Sequence, residues 1–495
     1  MKRSSGILLH PTCLPSPYGL GDFGSAAFQF VDFLEKSGQK IWEILPLNIP
    51  DDYDNIGSPY ASSSAMAGNW LLISPEKLVK DNLLAKKDLP PRLPVKPAQY
   101  DLIKKQRLIL LKKSYEFFYR QSNKLQKKRY LAFQKKEKAW LSDYAFFMAL
   151  KDHFRGRPWS RWPKPLANRD QKVMSVWQKK LDRLIDFYKY EQWIFFGQWL
   201  ALKKYANQKG VKIFGDLPFF VILDSVDVWA NRKLFLLNRK NRPFYVGGVP
   251  PDYFSRWGQI WNNPQYDWKA IQKTRFAWQV NRFQQAFRLY DLIRVDHFRG
   301  YQDLWFIKYG RKDGRLGRWV KVPGDKLFYT LRKKLGRLPI VAEDLGLITP
   351  EVIRLREKFK FPGMRVMLFG FSGEKDNFHF LPNFPVRGVA YTGNHDTDTA
   401  RGWLEKSSYS YHRKFALKYL KALKTNFTRK LIEAGLKSKI ETFITPLQDF
   451  LDLGAEARFN RPATNKNNWR WRCPANRLTP ALAGKIKRLT RAAGR

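Results

Sequence analysis

Cysteine is nearly absent. The 495-residue chain has two, Cys13 and Cys473, and six histidines. Two thiols so far apart do not make a disulfide scaffold. No His or Cys pair has the spacing of a zinc site. A reducing, cytoplasmic compartment without a structural metal is therefore expected. Long apolar runs are missing as well. No stretch approaches the roughly 18 apolar residues of a membrane helix. The early patch GILL is shorter than the roughly 7–15 residues of a signal-peptide core. Neither membrane insertion nor export is expected. A P-loop, a Rossmann fingerprint and a Gly-x-Ser-x-Gly elbow are also lacking.

Acidic residues are scarce: 43 Asp+Glu stand against 91 Lys+Arg, a net charge of +48. Such a balance suits an anionic partner. Yet the doublets Lys104-Lys105, Lys112-Lys113, Lys127-Lys128 and Lys135-Lys136 recur at helical surface spacing. No zinc-finger, homeodomain or RNA-recognition signature accompanies them. The charge reads as solvated lysines on an ordinary fold, with salt-sensitive, non-specific polyanion binding expected in vitro.

What is abundant is one kind of segment. Short apolar runs end in polar residues and lead into turns and helical patterns. They lie at Gly6–Leu14, Lys40–Leu47, Val211–Val221, Tyr290–Phe298, Pro339–Gly346, Arg365–Phe371, Val389–Asp396 and Glu441–Phe450. Near-continuous apolar strands alternating with helices indicate a parallel sheet covered on both faces. Eight of them predict an α/β fold, a (β/α)₈ TIM barrel spanning 1–495. Two intervals are too long for bare loops. The stretch 50–205 carries helical periodicity such as LIKKQRLILLKKSYEFFYRQ and predicts a helical insertion subdomain between strands 2 and 3. The stretch 225–285 is Trp-, Tyr- and Pro-rich and predicts a lid-like loop insertion between strands 3 and 4.

Carboxylates close several runs: Asp296 in IRVD, Glu343 in IVAE, Asp396 in VAYTGNHD and, less sharply, Asp216 in IFGDLP. One such residue would be read as a helix cap. Several converging on the C-terminal face of a barrel point to chemistry. Paired carboxylates there suit glycosidic-bond cleavage, one as nucleophile and one as acid and then base. Arg294 lies two residues before Asp296, on the same side of a strand, where a guanidinium would keep the carboxylate ionised. His395 is a candidate donor to a sugar hydroxyl; His297 is equally readable as structural. Asp344 should point away from Glu343 or cap a helix. Aromatics are 16% of the chain, and most should fill the core. Tyr60, Tyr253, Phe254, Trp257 and Trp261 are candidates for stacking on sugar rings.

These residues sit in longer motifs. GILLHPTCLPSPYGLGDFG, SPYASSSAMAGNW, DYAFFMALKDHFRGRPW, GDLPFFVILDSVDVWAN, GGVPPDYFSRWGQIWNNPQYDW, IRVDHFRG, VAEDLG, FPGMRVM, YTGNHDTDTARGW, PLQDFLDLGAEARFN and NWRWR occur in that order. Together they resemble the 4-α-glucanotransferases of the amylomaltase, or disproportionating-enzyme, type. The resemblance covers nearly the whole chain. It implies retaining double displacement within α-1,4-glucans, including maltooligosaccharides, without metal or organic cofactor. It implies Asp296 as nucleophile, Glu343 as acid and base, and Asp396 as the group that binds sugar hydroxyls and stabilises the transition state. Arg294 would orient Asp296. Asp216, His395, Tyr60 and Ser58 would line the donor site. Tyr253, Trp257 and Trp261 fall in the loop at 247–268 that would hold the acceptor and exclude water. The chain departs from the usual pattern at Arg256-Trp257, Asn262-Asn263, Asn394, Thr397 and Ala463. The other readings are an α-glucan hydrolase of the same clan and a basic glycan- or polyanion-binding protein with little turnover.

Overall fold

The computed structural model describes residues 3–50, 57–93, 97–251, 256–462, 464 and 466–495. Its centre is a closed ring of eight strands: β1 (Ser4–Leu8), β2 (Ile41–Glu43), β3 (Lys212–Leu217), β4 (Leu292–Val295), β5 (Ile340–Ala342), β6 (Gly363–Val366), β7 (Gly388–Tyr391) and β8 (Thr442–Pro446). Neighbours in sequence are neighbours in the sheet, all parallel, with β8 beside β1. The Ala342 N–H donates to Pro362 O at 2.8 Å just ahead of β6, closing the ring. The strands are buried along almost their whole length. That burial is why they read as unbroken apolar runs rather than alternating ones.

Register places the site. Asp216 of β3 lies directly opposite Arg294 of β4. Gly215, just before Asp216, makes room for an aromatic neighbour: a Cβ there would sit 2.2 Å from the Tyr290 ring. The Tyr290 hydroxyl in turn accepts the Leu47 N–H beyond β2 at 3.1 Å. Tyr290 thus locks the ends of three strands together.

Helices cover the ring. Ser25–Lys36 buries Ala27, Phe30, Val31 and Leu34, a 3–4 residue spacing that puts them on one face. It packs on Pro480–Ala492 and on Asp182–Gln208. Between β2 and β3 run the long helices Tyr100–Gln121, Lys124–His153 and Asp182–Gln208. Asn123 opens the second with a reciprocal capping box: its Oδ1 accepts the Gln126 N–H at 2.8 Å, and Gln126 Oε1 accepts the Asn123 N–H at 3.0 Å. These helices share an aromatic core in which Phe118 meets Tyr130 and Tyr190, with ring centroids 5.3 and 5.0 Å apart. Much of the aromatic content is absorbed here. Asp182–Gln208 also packs on β3, so the end of this interval is a barrel helix. The doublets Lys112-Lys113, Lys127-Lys128 and Lys135-Lys136 lie on the outer faces.

The second interval contains sheet rather than bare loop. Tyr245–Val249 and Gln259–Pro264 pair antiparallel, and Asp303–Lys308 and Gly317–Lys321, from beyond β4, complete a four-stranded rim sheet. Ala277–Leu289 then packs on β3 and β4 as a barrel helix. Asn262, in the GQIWNN motif, takes a left-handed backbone at φ 59°. Asparagine is among the few side chains that tolerate this conformation. No described helix is long and apolar enough to cross a membrane.

Candidate active site

The strand ends converge on one connected network. Asp216 is the penultimate residue of β3, and Arg294 lies in β4 with Asp296 just after it. Arg294 Nη1 donates to Asp216 Oδ2 at 2.6 Å, and its Nη2 reaches Asp296 Oδ1 at 2.8 Å. The guanidinium therefore joins two carboxylates. The Asp216 side chain is only 2% exposed, whereas Asp296 is 28% exposed. Tyr60 continues the chain by donating its hydroxyl to Asp216 Oδ2 at 2.6 Å. That hydroxyl also lies 2.9 Å from His395 Nε2. Having spent its own proton on Asp216, it must accept from the imidazole, which places a proton on Nε2. His395 Nε2 also lies 3.3 Å from Asp396 Oδ2. Ser58 is buried and accepts the Tyr60 N–H at 3.4 Å. The Tyr60 and His395 rings stack, centroids 5.3 Å apart.

Glu343 follows β5 directly and is held from the backbone. Its Oε2 accepts the His297 N–H at 2.8 Å and its Oε1 accepts the Leu345 N–H at 2.9 Å. Burial pushes its pKa up to about 8, with the Asp296 charge adding and Arg294 opposing. Asp344 turns outward, as its position in the sequence suggests: it takes the Met364 N–H at 2.7 Å and pairs with Arg356 at 2.5 Å and Arg365 at 3.3 Å.

Asp396 stands on a loop rather than at a strand end. Asn394 Oδ1 accepts the N–H groups of Asp396 and Thr397 at 3.0 and 3.1 Å, while Thr397 Oγ1 accepts the Asn394 N–H at 3.0 Å. The two departures from the family pattern at 394 and 397 are thus bonded to each other. The Asp396 side chain is 39% exposed. What burial it has works to raise its pKa. The His395 charge and hydrogen bond, the Asn460 bond and Arg294 outweigh that and hold the carboxyl below its ordinary range.

Three groups at this site were not singled out from the sequence. Asn460 Nδ2 donates to Asp396 Oδ1 at 2.6 Å, and Arg458 Nη2 donates to the Asp396 carbonyl at 2.7 Å. The Trp469 ring lies 6.0 Å from Tyr60 and 6.3 Å from His395. All three follow β8, where no carboxylate marks a strand end. The signal for them was the motifs AEARFN and NWRWR.

The aromatic candidates divide. Trp261, on the rim strand Gln259–Pro264, meets His297 edge to face at 5.0 Å and Phe220 at 5.9 Å. Trp257 is 46% exposed and stacks with Arg256 and Arg315, at 4.9 and 4.3 Å. Its ring contacts among the described residues are thus at the outer rim, not with the carboxylates. Tyr253, Phe254 and Ala463 lie outside the described residues. Cys13 and Cys473, far apart in sequence, are neighbours in space. Both are free and buried, and the Cys473 N–H donates to Cys13 O at 2.8 Å. No cluster of three or more His, Cys, Asp or Glu is placed to hold a metal ion among the described residues.

Comparison with known proteins adds independent findings. The profile of the family described as 4-alpha-glucanotransferase matches residues 9–478. The chain is 41% identical to a 4-alpha-glucanotransferase of Clostridium butyricum over 98% of its own length and 100% of the relative's. It is 40% identical to that of Thermus thermophilus, over 100% and 99%. Among solved structures, the amylomaltase of Streptococcus agalactiae in complex with acarbose superposes with a TM-score of 0.95 at 36% identity, covering 100% of both chains.

Proposed function

Because this chain belongs to the 4-alpha-glucanotransferase family and is a 4-alpha-glucanotransferase by class, we propose that Asp296, Glu343 and Asp396 carry its chemistry by retaining double displacement on α-1,4-glucans. The observation that carries this reading is the contrast between Glu343 and its neighbours. Glu343 is buried with its pKa pushed up to about 8, as a general acid at neutral pH requires. Asp296 is held at Oδ1 by Arg294, with no partner on Oδ2 among the described residues.

In the first half-reaction Asp296 Oδ2 attacks the anomeric carbon of the donor. The glycosidic C–O bond breaks as Glu343 gives its proton to the leaving 4-oxygen. The product is a β-linked glycosyl ester on Asp296. In the second, Glu343 takes the proton from an acceptor 4-hydroxyl, whose oxygen attacks the same carbon and releases the Asp296 carboxylate. The α-configuration is restored. Asp396, ionised and partly exposed, suits hydroxyl binding beside the oxocarbenium-like centre. Arg294 orients Asp296. Ser58, Tyr60, Asp216 and His395 shape the donor side. Trp261, with Trp257 and Tyr253 earlier in the same segment, serves the acceptor and screens water. In this reading the rim sheet is the lid.

Maltooligosaccharides are the proposed substrates. Incubation with maltotriose is expected to yield glucose together with a ladder of longer maltooligosaccharides. Glucose and maltose with nothing longer would refute transfer in favour of hydrolysis. The exposed lysine doublets support a secondary, salt-dependent attraction to polyanions, and the two reduced thiols support a cytoplasmic location.

A further inference from the structure

His297 follows Asp296 in the chain and its backbone N–H holds Glu343, yet the mechanism leaves its side chain idle. Its backbone is left-handed, φ 46° and ψ 51°. That conformation is unusual for a side-chain-bearing residue and persists only where the surroundings impose it. Left-handed geometry here has a use, because it turns the His297 N–H onto Glu343 Oε2 at 2.8 Å. The next residue reinforces the link: the Phe298 N–H donates to the Glu343 carbonyl at 3.1 Å.

The ring is held by packing rather than by hydrogen bonds. Trp261 meets it edge to face at 5.0 Å and 83°, and Phe219 at 6.0 Å and 85°. Nε2 is buried without a partner among the described residues. Gly300 leaves the space the ring needs, since a Cβ there would come 2.9 Å from His297 Cδ2. Burial pushes the imidazole pKa down to about 4, so the ring is neutral at the pH of catalysis. It is a neutral ring wedged between Trp261 of the rim sheet and Phe219 beyond β3.

We propose that His297 is a positioning residue: its ring, clamped by Trp261 of the rim sheet, fixes the backbone turn that aims its own N–H at Glu343, so that lid and acid are set together. This rests on the reading of Glu343 given above. Through this link a lid seated on an acceptor would also seat the group that deprotonates that acceptor. A lid displaced by water would loosen it.

The test is a double-mutant cycle in the full chain, measured with maltotriose. His297→Asn removes the ring, keeps the N–H and tolerates the left-handed turn. It is expected to lower kcat about two- to tenfold, the scale of one edge-to-face contact, and to raise the share of turnovers ending on water. Trp261→Ala should do the same, and the double variant should lose no more than the larger single loss. His297→Phe, which keeps a ring edge, should recover most of what His297→Asn loses. If the two losses multiply, or if the phenylalanine variant is as poor as the asparagine one, the proposal is overturned. If the asparagine variant does not fold, His297→Gly, free of strain at this turn, takes its place. A wild type that makes no longer products would instead sink the transfer reading itself.

Discussion

Replacing Glu343 by glutamine should abolish transfer and, at neutral pH, make the protein more stable. The carboxyl's ordinary pKa is 4.5, and burial raises it to about 8 in the folded chain. A raised folded value means the folded state keeps a proton that the unfolded state has released. The stabilising contribution is therefore complete below the unfolded value and is lost as pH climbs from about 4.5 to about 8. At pH 7 the gap between the unfolded value and the medium costs on the order of 3 kcal/mol. The Glu343→Gln variant would escape that cost because its amide does not titrate. The amide has one carbonyl oxygen for two backbone N–H groups, however, so the bond from either His297 or Leu345 is left unmade, at about 1–2 kcal/mol. The net gain is about 1–2 kcal/mol at pH 7. For a chain of 495 residues that is a rise in Tm of about 1–2 °C. The slope is the sharper measure. The Tm difference between variant and wild type should grow by about 1 °C per pH unit between about pH 5 and 8 and reverse in sign at about pH 5–6, where the cost of the charge falls to that of the unmade bond. Thermal scans across that range read it directly. A Tm difference independent of pH would show that Glu343 is not the proton-holding acid its burial implies.

Other outcomes follow from the same contacts. On the alkaline side, kcat/KM for maltotriose should fall as pH rises through about 8, where Glu343 would lose the proton it donates in the proposed mechanism; activity undiminished about two pH units higher would contradict that. Asp296→Asn should remove transfer by several orders of magnitude, and a near-wild-type rate would dismiss it as the nucleophile. Tyr60→Phe deletes the hydroxyl shared by Asp216 and His395 and should lower kcat about tenfold or more through two disturbed partners, with an unchanged kcat arguing against a connected donor side. Burial pushes the Cys473 thiol up to about 12 and Cys13 higher still, so Ellman's reagent should label neither in the native protein at about pH 8 and both after denaturation.

The barrel was legible because each of its strands is buried on both faces. Burial of that kind forces an unbroken apolar run, and the polar residue that ends the run is where the core ends too. Asp296 and Glu343 sit one residue past β4 and β5, so their visibility has a direct physical cause. The rim sheet was less legible because its burial is mixed: Gly317–Lys321 is exposed along nearly the whole strand, whereas Asp303–Lys308 is largely buried. Its strands pair across β4, a relation between distant segments that no local pattern records. Asn460 and Arg458 were hidden likewise. They hold Asp396 through one side-chain bond and one backbone carbonyl, and neither contact imposes a periodicity on the residues around it. Proximity of the thiols was equally invisible, because Cys13 and Cys473 meet only in the folded chain.

Residue type alone does not separate the three carboxylates; their supports do. Among the described residues Glu343 receives only backbone N–H groups, in a buried place where a charge is poorly solvated. Those dipoles are too few to offset desolvation, and the proton stays. Asp396 receives a side-chain amide and an imidazole and keeps 39% of its side chain in solvent, so its charge is retained. Asp296 takes a guanidinium that is itself buried and shared with Asp216. Arg294 thus faces two carboxylates at close range while a third, Glu343, stays neutral nearby. Were Glu343 ionised as well, a further negative group would stand beside Asp296 and Asp396, and the like charges would repel. In the proposed mechanism the proton on Glu343 therefore does two things at once: it would be the proton the leaving oxygen takes, and its presence keeps the resting site electrostatically tolerable. Both conditions would end in the same step, as the proton departs and Asp296 gives up its charge to the proposed glycosyl ester. The number of negative charges around Arg294 is the same before and after, so this arrangement can cycle without rebuilding its electrostatics.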